Sequence, residues 1–317
     1  MRAPCRVSER DWISRYFAPL ATAPGAAGLR DDVAELSGGD GRLIATTDAL
    51  VEGVHFLPDD PIDTIARKLV RTNVSDVLSK GALPEDVLLT LGWPNSRPES
   101  EIAAFASALG DDLETFGARL VGGDTVRSRA GLFLSLTLTG RCLCEHPVRR
   151  SGAAHDQDIW VTGEMGAACL GFEALQRGEC DSPHVAVYRV PRLQPVSAAH
   201  LIANHASAAM DVSDGLLGDA SALGEASGVG MKLALEEIRF AGKATDIDTM
   251  LRLATWGDDY QILFTSEKTR RETILADADD AGVSVARIGE TSQKTGLSIT
   301  WRGEAVNLPE TLGFEHG

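Results

Sequence analysis

The chain has 317 residues, with 46 acidic against 30 basic side chains and a formal net charge of −16. A surface of that sign repels nucleic-acid backbones and anionic membranes, so both are set aside as partners. Its 44% apolar and 24% charged residues belong to an ordinary globular protein, long enough for two domains of about 150 residues.

Met1 to Trp12 lacks the apolar core of a signal peptide, and no run approaches the ~20 apolar residues of a membrane span. Five cysteines, at 5, 142, 144, 169 and 180, match neither zinc spacing nor a C-x-x-C redox pair. The expectation is a soluble, cytoplasmic protein with reduced thiols.

Ser8 to Phe17 begins with a capping serine and spaces Ile13 and Phe17 four apart, which predicts a short amphipathic helix. Leu43 to Thr47 is a strand that delivers Asp48 at its end. Pro61 to Ser79 has a helical period through Ile65, Leu69 and Val77, putting Asn73 and Asp76 on one face. Val87 to Leu91 reads as a strand and Glu99 to Phe116 as a helix. Leu132 to Thr139 alternates Leu/Phe with Ser/Thr, a clear β pattern.

The polar stretch from Glu145 to Asp156 marks a boundary, dividing the chain into 1–148 and 149–317. Beyond it, Ile159 to Thr162 is a strand entering a helix that ends near Arg177. Pro183 to Pro195 is a proline-punctuated connection, followed by a helix to about Ser207 and a strand to Val212. Asp214 to Ala226 and Thr245 to Leu253 are helical, while Gly230 to Leu235, Tyr260 to Phe264, Val283 to Ile288 and Leu297 to Trp301 are strands. Strands and helices mix in both halves without a βαβ rhythm, which indicates an α+β, or mixed α/β, fold.

No Walker or dinucleotide-binding glycine motif occurs. Aspartates flanked by Ser, Thr and Gly recur instead, in Thr46-Thr47-Asp48, Asn73-Val74-Ser75-Asp76, Gly122-Gly123-Asp124-Thr125 and Asp211-Val212-Ser213-Asp214-Gly215. Such oxygen-only sets suit Mg²⁺. Each also has a plain structural explanation: Asp31-Asp32 suits a solvated loop, the glycines at 122 and 123 a tight turn, and Asp211 to Asp214 a helix cap. His55 suits a structural histidine, and Arg150 a surface loop. Together they suggest more. ATP carries about four negative charges, and a pocket of aspartates without a P-loop lysine can accept it only through more than one divalent cation.

In order along the chain, these motifs resemble the thiamine-monophosphate kinases, most specifically in Val51-Glu52-Gly53-Val54-His55-Phe56. Asn73-x-Ser75-Asp76 and Gly122-Gly123-Asp124-Thr125 are shared with the wider superfamily that includes aminoimidazole ribonucleotide synthetase. Selenophosphate synthetases and the hydrogenase-maturation relatives depend on cysteines that this chain lacks at the corresponding settings. A non-catalytic nucleotide- or thiamine-binding protein is the alternative from another class.

The resemblance implies a two-domain aminoimidazole ribonucleotide synthetase-like fold whose N-terminal sheet pairs with its twin in a homodimer. It implies ATP-dependent conversion of thiamine monophosphate to thiamine diphosphate. Asp32, Thr46, Thr47, Asp48, Asp76, Asp124, Asp211 and Asp214 would hold several Mg²⁺ ions. Gly123, Asp124, Arg150 and Ser213 would serve ATP; His55, Asp258 and Phe314 would contact thiamine. The chain departs from the family pattern at Arg30, at Asp258, which is one methylene shorter than the usual Glu, and at Lys80, where methionine is common.

Overall fold

A computed structural model describes residues 13–37 and 42–314. Of the helix expected at Ser8 to Phe17, only Ile13–Phe17 falls among them, as a single π turn.

The first sheet holds β1 (Ala34–Glu35), β2 (Leu43–Val51), β3 (Ala82–Pro94), β4 (Arg119–Ser128) and β5 (Phe133–Cys142), in the order β1-β2-β5-β3-β4. Only β3 and β4 run parallel. Two helices, α1 (Ile62–Ser79) and α2 (Glu99–Phe116), cover one face. Alternation assigns the faces: Leu134, Leu136 and Leu138 are buried under the helices, while Phe133, Ser135 and Thr137 look the other way.

The second sheet adds β6 (Gln157–Thr162), β7 (Ala208–Val212), β8 (Gly230–Ala234), β9 (Gln261–Glu267), β10 (Val285–Ser292), β11 (Gly296–Trp301) and β12 (Glu304–Val306). Their order is β12-β11-β8-β10-β6-β9-β7. Among the described residues, six α-helices belong to this half: α3 (Ala167–Gln176), α4 (Pro183–Arg189), α5 (Ala198–His205), α6 (Leu216–Ser227), α7 (Ile247–Thr255) and α8 (Arg271–Ala281). Leu216, Leu217, Ala220 and Leu223 of α6 pack with Val161, Leu263 and Ile299 in one core. Trp160, Phe264 and Ile274 join the core of the first sheet instead.

That shared core exists because α1 lies between the sheets, touching β2, β3 and β5 on one side and β7 and β9 on the other. Its Ile65, Leu69, Val74 and Val77 are almost fully buried. A helix buried on all sides brings its polar residues to the junction of the halves, where each needs a partner.

Several expected boundaries change. β2 runs on through Asp48 to Val51, because pairing with β5 continues to Val51↔Phe133. Gly122-Gly123-Asp124-Thr125 is no turn, since β4 passes straight through it. The glycine at 123 has a packing reason: an added Cβ would stand 1.9 Å from the Leu89 carbonyl oxygen of β3. The connection after Pro183 contains α4, where proline occupies the first helical turn rather than breaking a helix. Among the described residues, no helix is long and apolar enough to cross a membrane.

Candidate active site

A cavity of about 500 Å³ opens at the junction of the halves. One end is acidic, lined by Asp48, Asp76, Asp211, Ser213 and Asp214; the other is aromatic, lined by Phe172, Tyr188, Trp256 and Tyr260.

The acidic end is assembled around α1. Asp48 projects from β2 toward the helix, on the face that also carries buried Thr46. Asn73 accepts the Asp48 backbone N–H at 3.1 Å and donates to the Leu69 carbonyl at 2.9 Å. Asn73 therefore fixes the strand residue instead of entering the cavity. The Thr46 hydroxyl donates to Asp76 at 2.5 Å. Asp211 arrives from β7, and one oxygen each of Asp32, Asp76 and Asp211 can lie within 4.8 Å of one another.

Burial and crowding set the charge state here. Burial pushes the Asp48 carboxyl up to about 6, with repulsion from Asp32 and Asp214 adding to it. Burial likewise raises Asp211 to about 7, with repulsion from Asp32 and Asp48. Asp76 lies well above the usual range through burial, then through repulsion from Asp48 and Asp211. Three crowded carboxyls, one buried and two half-buried, whose nearest cation, Arg150, is itself paired with Asp32, fit hard divalent ions.

Asp31 and Asp32 are in a different state. Against the desolvation of its own burial, Asp32 is held below the ordinary range by Lys80 and Arg150. The Arg150 guanidinium donates to Asp32 Oδ1 from Nε at 2.7 Å and also from Nη2. Its backbone N–H donates to Asp31 at 3.0 Å. The expectation of solvated acidic residues at 31 and 32 is overturned: both side chains are almost fully buried.

Capping does not account for Asp211 to Asp214 either. The backbone N–H groups of Asp214 and Gly215 both donate to the Asp219 carboxylate at 3.2 Å. With Asp219 covering the start of α6, the carboxyls at 211 and 214 line the cavity.

At the aromatic end, Phe172 lies 5.5 Å from Tyr188 and 5.2 Å from Trp256, ring centre to ring centre. Asp258 stands beside them with its carboxylate clamped, accepting from Lys68 at 2.8 Å and from the Tyr260 hydroxyl at 3.1 Å. Lys68 also donates to the His55 carbonyl at 2.9 Å and sits 4.9 Å above the Tyr188 ring. Asp258 and Tyr260 hold φ of 69° and 48°, a strained backbone for side-chain-bearing residues. The Val51 N–H donates to His55 Nδ1 at 3.0 Å, so in the neutral ring the hydrogen is on Nε2. Phe314 and Gly313 line the same cavity, and the Phe314 N–H donates to the Asp214 carbonyl at 2.8 Å.

Three sequence-selected residues lie elsewhere. Thr47 faces the helix-free side of the first sheet, where its hydroxyl pairs with Thr137 at 3.0 Å. Gly123 and Asp124 lie on β4, outside the cavity. The register row Ala49–Ser135–Thr90–Asp124 separates Asp124 from β2 by three strand spacings, roughly 14 Å at ~4.8 Å each.

Sequence reasoning missed Lys68, Thr72, Phe172, Tyr188, Trp256 and Tyr260. Lys68, Thr72 and Asp76 recur every four residues, so a polar stripe on an otherwise apolar helix was there to be read. The aromatic residues come from α3, α4 and the loop after α7, and no local spacing joins them.

This fold has known counterparts. Residues 30–142 match the family model of AIR synthase related protein, N-terminal domain, and residues 155–302 match its C-terminal domain. The two halves and the site between them thus define a member of the AIR synthase-related class. The thiamine-monophosphate kinase of Caulobacter vibrioides is 36% identical, the alignment covering 98% of this chain and 91% of the relative. That of Escherichia coli K12 is 32% identical, with 96% of each covered. The structure of AaThiL complexed with AMPPCP and TMP superposes with a TM-score of 0.84 at 26% identity, covering 100% of this chain and 99% of that one. The chain belongs to the thiamine-monophosphate kinase family.

Proposed function

We propose that this protein transfers the γ-phosphoryl group of ATP directly to thiamine monophosphate, giving thiamine diphosphate and ADP, in the cytoplasm. The observation that carries the reading is the two-ended cavity. Crowded, cation-deficient carboxyls face an aromatic box with a clamped carboxylate, across a space sized for a small molecule. The relatives named thiamine-monophosphate kinase, and the related fold complexed with AMPPCP and TMP, support it.

On this reading Asp48, Asp76, Asp211 and Asp214, with Thr46, would hold divalent ions. Such ions neutralise phosphate charge and keep donor and acceptor in line. The acceptor phosphate is already ionised, so no side chain needs to act as a strong base. Phe172, Tyr188 and Trp256 enclose the thiazolium cation by cation–π attraction, and Phe314 closes the opening. Asp258, neutralised by Lys68, offers an acceptor to the aminopyrimidine, and His55 Nε2–H a donor. Arg150 and Ser213 lie on the ATP side.

The N-terminal domain, residues 1–148, also provides the dimer contact, while 149–317 forms the second domain. β4 is exposed from Arg119 to Arg127, and Leu88, Leu120, Val121, Val126 and Phe133 leave apolar area open around it. An unpaired edge with apolar flanks favours pairing with a second copy. Thr47 and Asp124 share the helix-free face of this sheet, so they and Gly123 would then act where two copies meet. Leu120→Glu with Val121→Glu should convert the dimer to a monomer in sedimentation and lower activity.

The decisive assay supplies ATP, Mg²⁺ and thiamine monophosphate and looks for thiamine diphosphate. Aminoimidazole precursors serve as the control, and failure with thiamine monophosphate would overturn the assignment. With EDTA, ATP binding should weaken about 100-fold or more, since only cations make the pocket attractive to ATP.

A further inference from the structure

Lys80 follows the last turn of α1 and has no exposed surface. A buried ammonium needs charged partners and an acceptor for each hydrogen. Lys80 donates to the Ala209 carbonyl at 2.7 Å and forms ion pairs with Asp31 Oδ1 at 3.0 Å and with Asp32 Oδ2. One side chain thereby joins the N-terminal segment, α1 and β7.

The charges around it balance locally. Asp31 and Asp32 bring two negative charges; Lys80 and Arg150 bring two positive ones. Asp31 also accepts the backbone N–H groups of Asp32 and Arg150, each at 3.0 Å. Among the described residues, Asp48, Asp76 and Asp211 of the same acidic cluster make no ion pair; they meet hydroxyls and other carboxyls, and Asp211 feels Arg150 only at longer range. The cluster is therefore divided into a compensated pair and an uncompensated set.

Without the ammonium, two carboxylate oxygens and a carbonyl oxygen would converge on the space it fills. That donor set suits a hard divalent cation. We propose that Lys80 acts as a built-in cation of the acidic cluster, occupying a position beside Asp31 and Asp32 that a divalent ion would otherwise take. This chain then holds one divalent ion fewer than its carboxylates could accommodate, and Asp32 is committed to Lys80 and Arg150 rather than to metal. Lys80 is a positioning residue: it fixes Asp31 and Asp32 before any ion arrives. The inference rests on reading Asp48, Asp76 and Asp211 as a divalent-cation cradle.

The test counts ions without catalysis. Metal-stripped protein, free of ATP and thiamine monophosphate, is titrated with Mn²⁺, and free Mn²⁺ is followed by its paramagnetic resonance signal. Lys80→Met should bind one Mn²⁺ more per protomer than the wild type, and Lys80→Arg, which keeps the charge, the wild-type number. Equal numbers in folded Lys80→Met and wild type would overturn the proposal while leaving the cradle intact. No Mn²⁺ bound to the wild type would overturn the cradle itself, and the proposal with it. Should Lys80→Met fail to fold, Asp32→Asn decides. An unchanged count supports the proposal, and loss of one ion overturns it by making Asp32 a metal ligand.

Discussion

At the acidic end of the cavity, Asp48, Asp76 and Asp211 come from a strand, a helix and a second strand, yet each belongs to a short recognisable motif. At the aromatic end, Phe172 and Tyr188 come from α3 and α4 with no motif around them, and Trp256 comes from the loop after α7, beside Gly257-Asp258-Asp259-Tyr260. The acidic end handles formal charge, which demands particular atoms in particular places and so constrains neighbouring residues as well. Enclosing an apolar cation demands only aromatic faces at about 5–6 Å, which many backbone routes can supply. On the proposed function, the first end would serve transition-state charge, and the second recognition in the ground state.

The largest effect should follow from disturbing the charged end. Asp48→Asn keeps the side-chain shape, and the backbone bond to Asn73 that fixes the residue does not involve its carboxylate. The fold should survive, with an unchanged far-UV circular dichroism spectrum. Turnover should fall by about 10³-fold or more, because the charge facing the transferred phosphoryl group is lost. A kcat within a few-fold of wild type would remove Asp48 from the metal set and dissolve the distinction between the ends.

Trp256→Ala disturbs the other end, where a different signature is expected. An aromatic face on a cation is worth ~1–2 kcal/mol when desolvated, so KM for thiamine monophosphate should rise roughly 10-fold. The KM for ATP and the kcat should stay within a few-fold, as expected for binding that is equal in ground and transition states. A proportional loss of kcat would show that the aromatic end helps align the acceptor phosphate.

These two ends also mark how far the sequence could be read. Alternation in Leu132 to Thr139 gave the face of β5, and the 3.6 period of α1 gave its burial, since local spacing reports local environment. The acidic motifs were visible for the same reason. The length of β2 was not, because pairing with β5 carries it past Asp48. Asp31 and Asp32 looked like a solvated loop, since their partners, Lys80 and Arg150, lie 48 to 119 positions away. Lys80 itself registered only as a departure from the family pattern. Its meaning depends on three oxygen partners drawn from two remote segments, and these meet only after the two sheets close on α1.

The smallest effect concerns stability and separates the uncompensated carboxyls from the compensated pair. In metal-free protein, Asp48 and Asp211 bind protons up to about pH 6 and 7, whereas an unfolded aspartate releases its proton near pH ~3.9. The folded state thus binds more protons than the unfolded state between these values, and stability must fall as pH rises across that window. Asp32 has the opposite sign: its depressed carboxyl contributes stability that is lost only when pH falls through its folded value, below the window. Metal-stripped protein should therefore melt a few degrees lower at pH 8 than at pH 5, at about 2–4 °C per kcal/mol for a chain of this size class. Excess Mg²⁺ should raise the pH 8 melting temperature most, by favouring the ionised cluster. Asp48→Asn should flatten the pH dependence, and Asp32→Asn should flatten it as well, by removing the repulsion that Asp32 exerts on Asp48 and Asp211. A metal-free protein that grows steadily more stable from pH 5 to pH 8 would show that the carboxyls of the acidic end are already compensated, as Asp31 and Asp32 are.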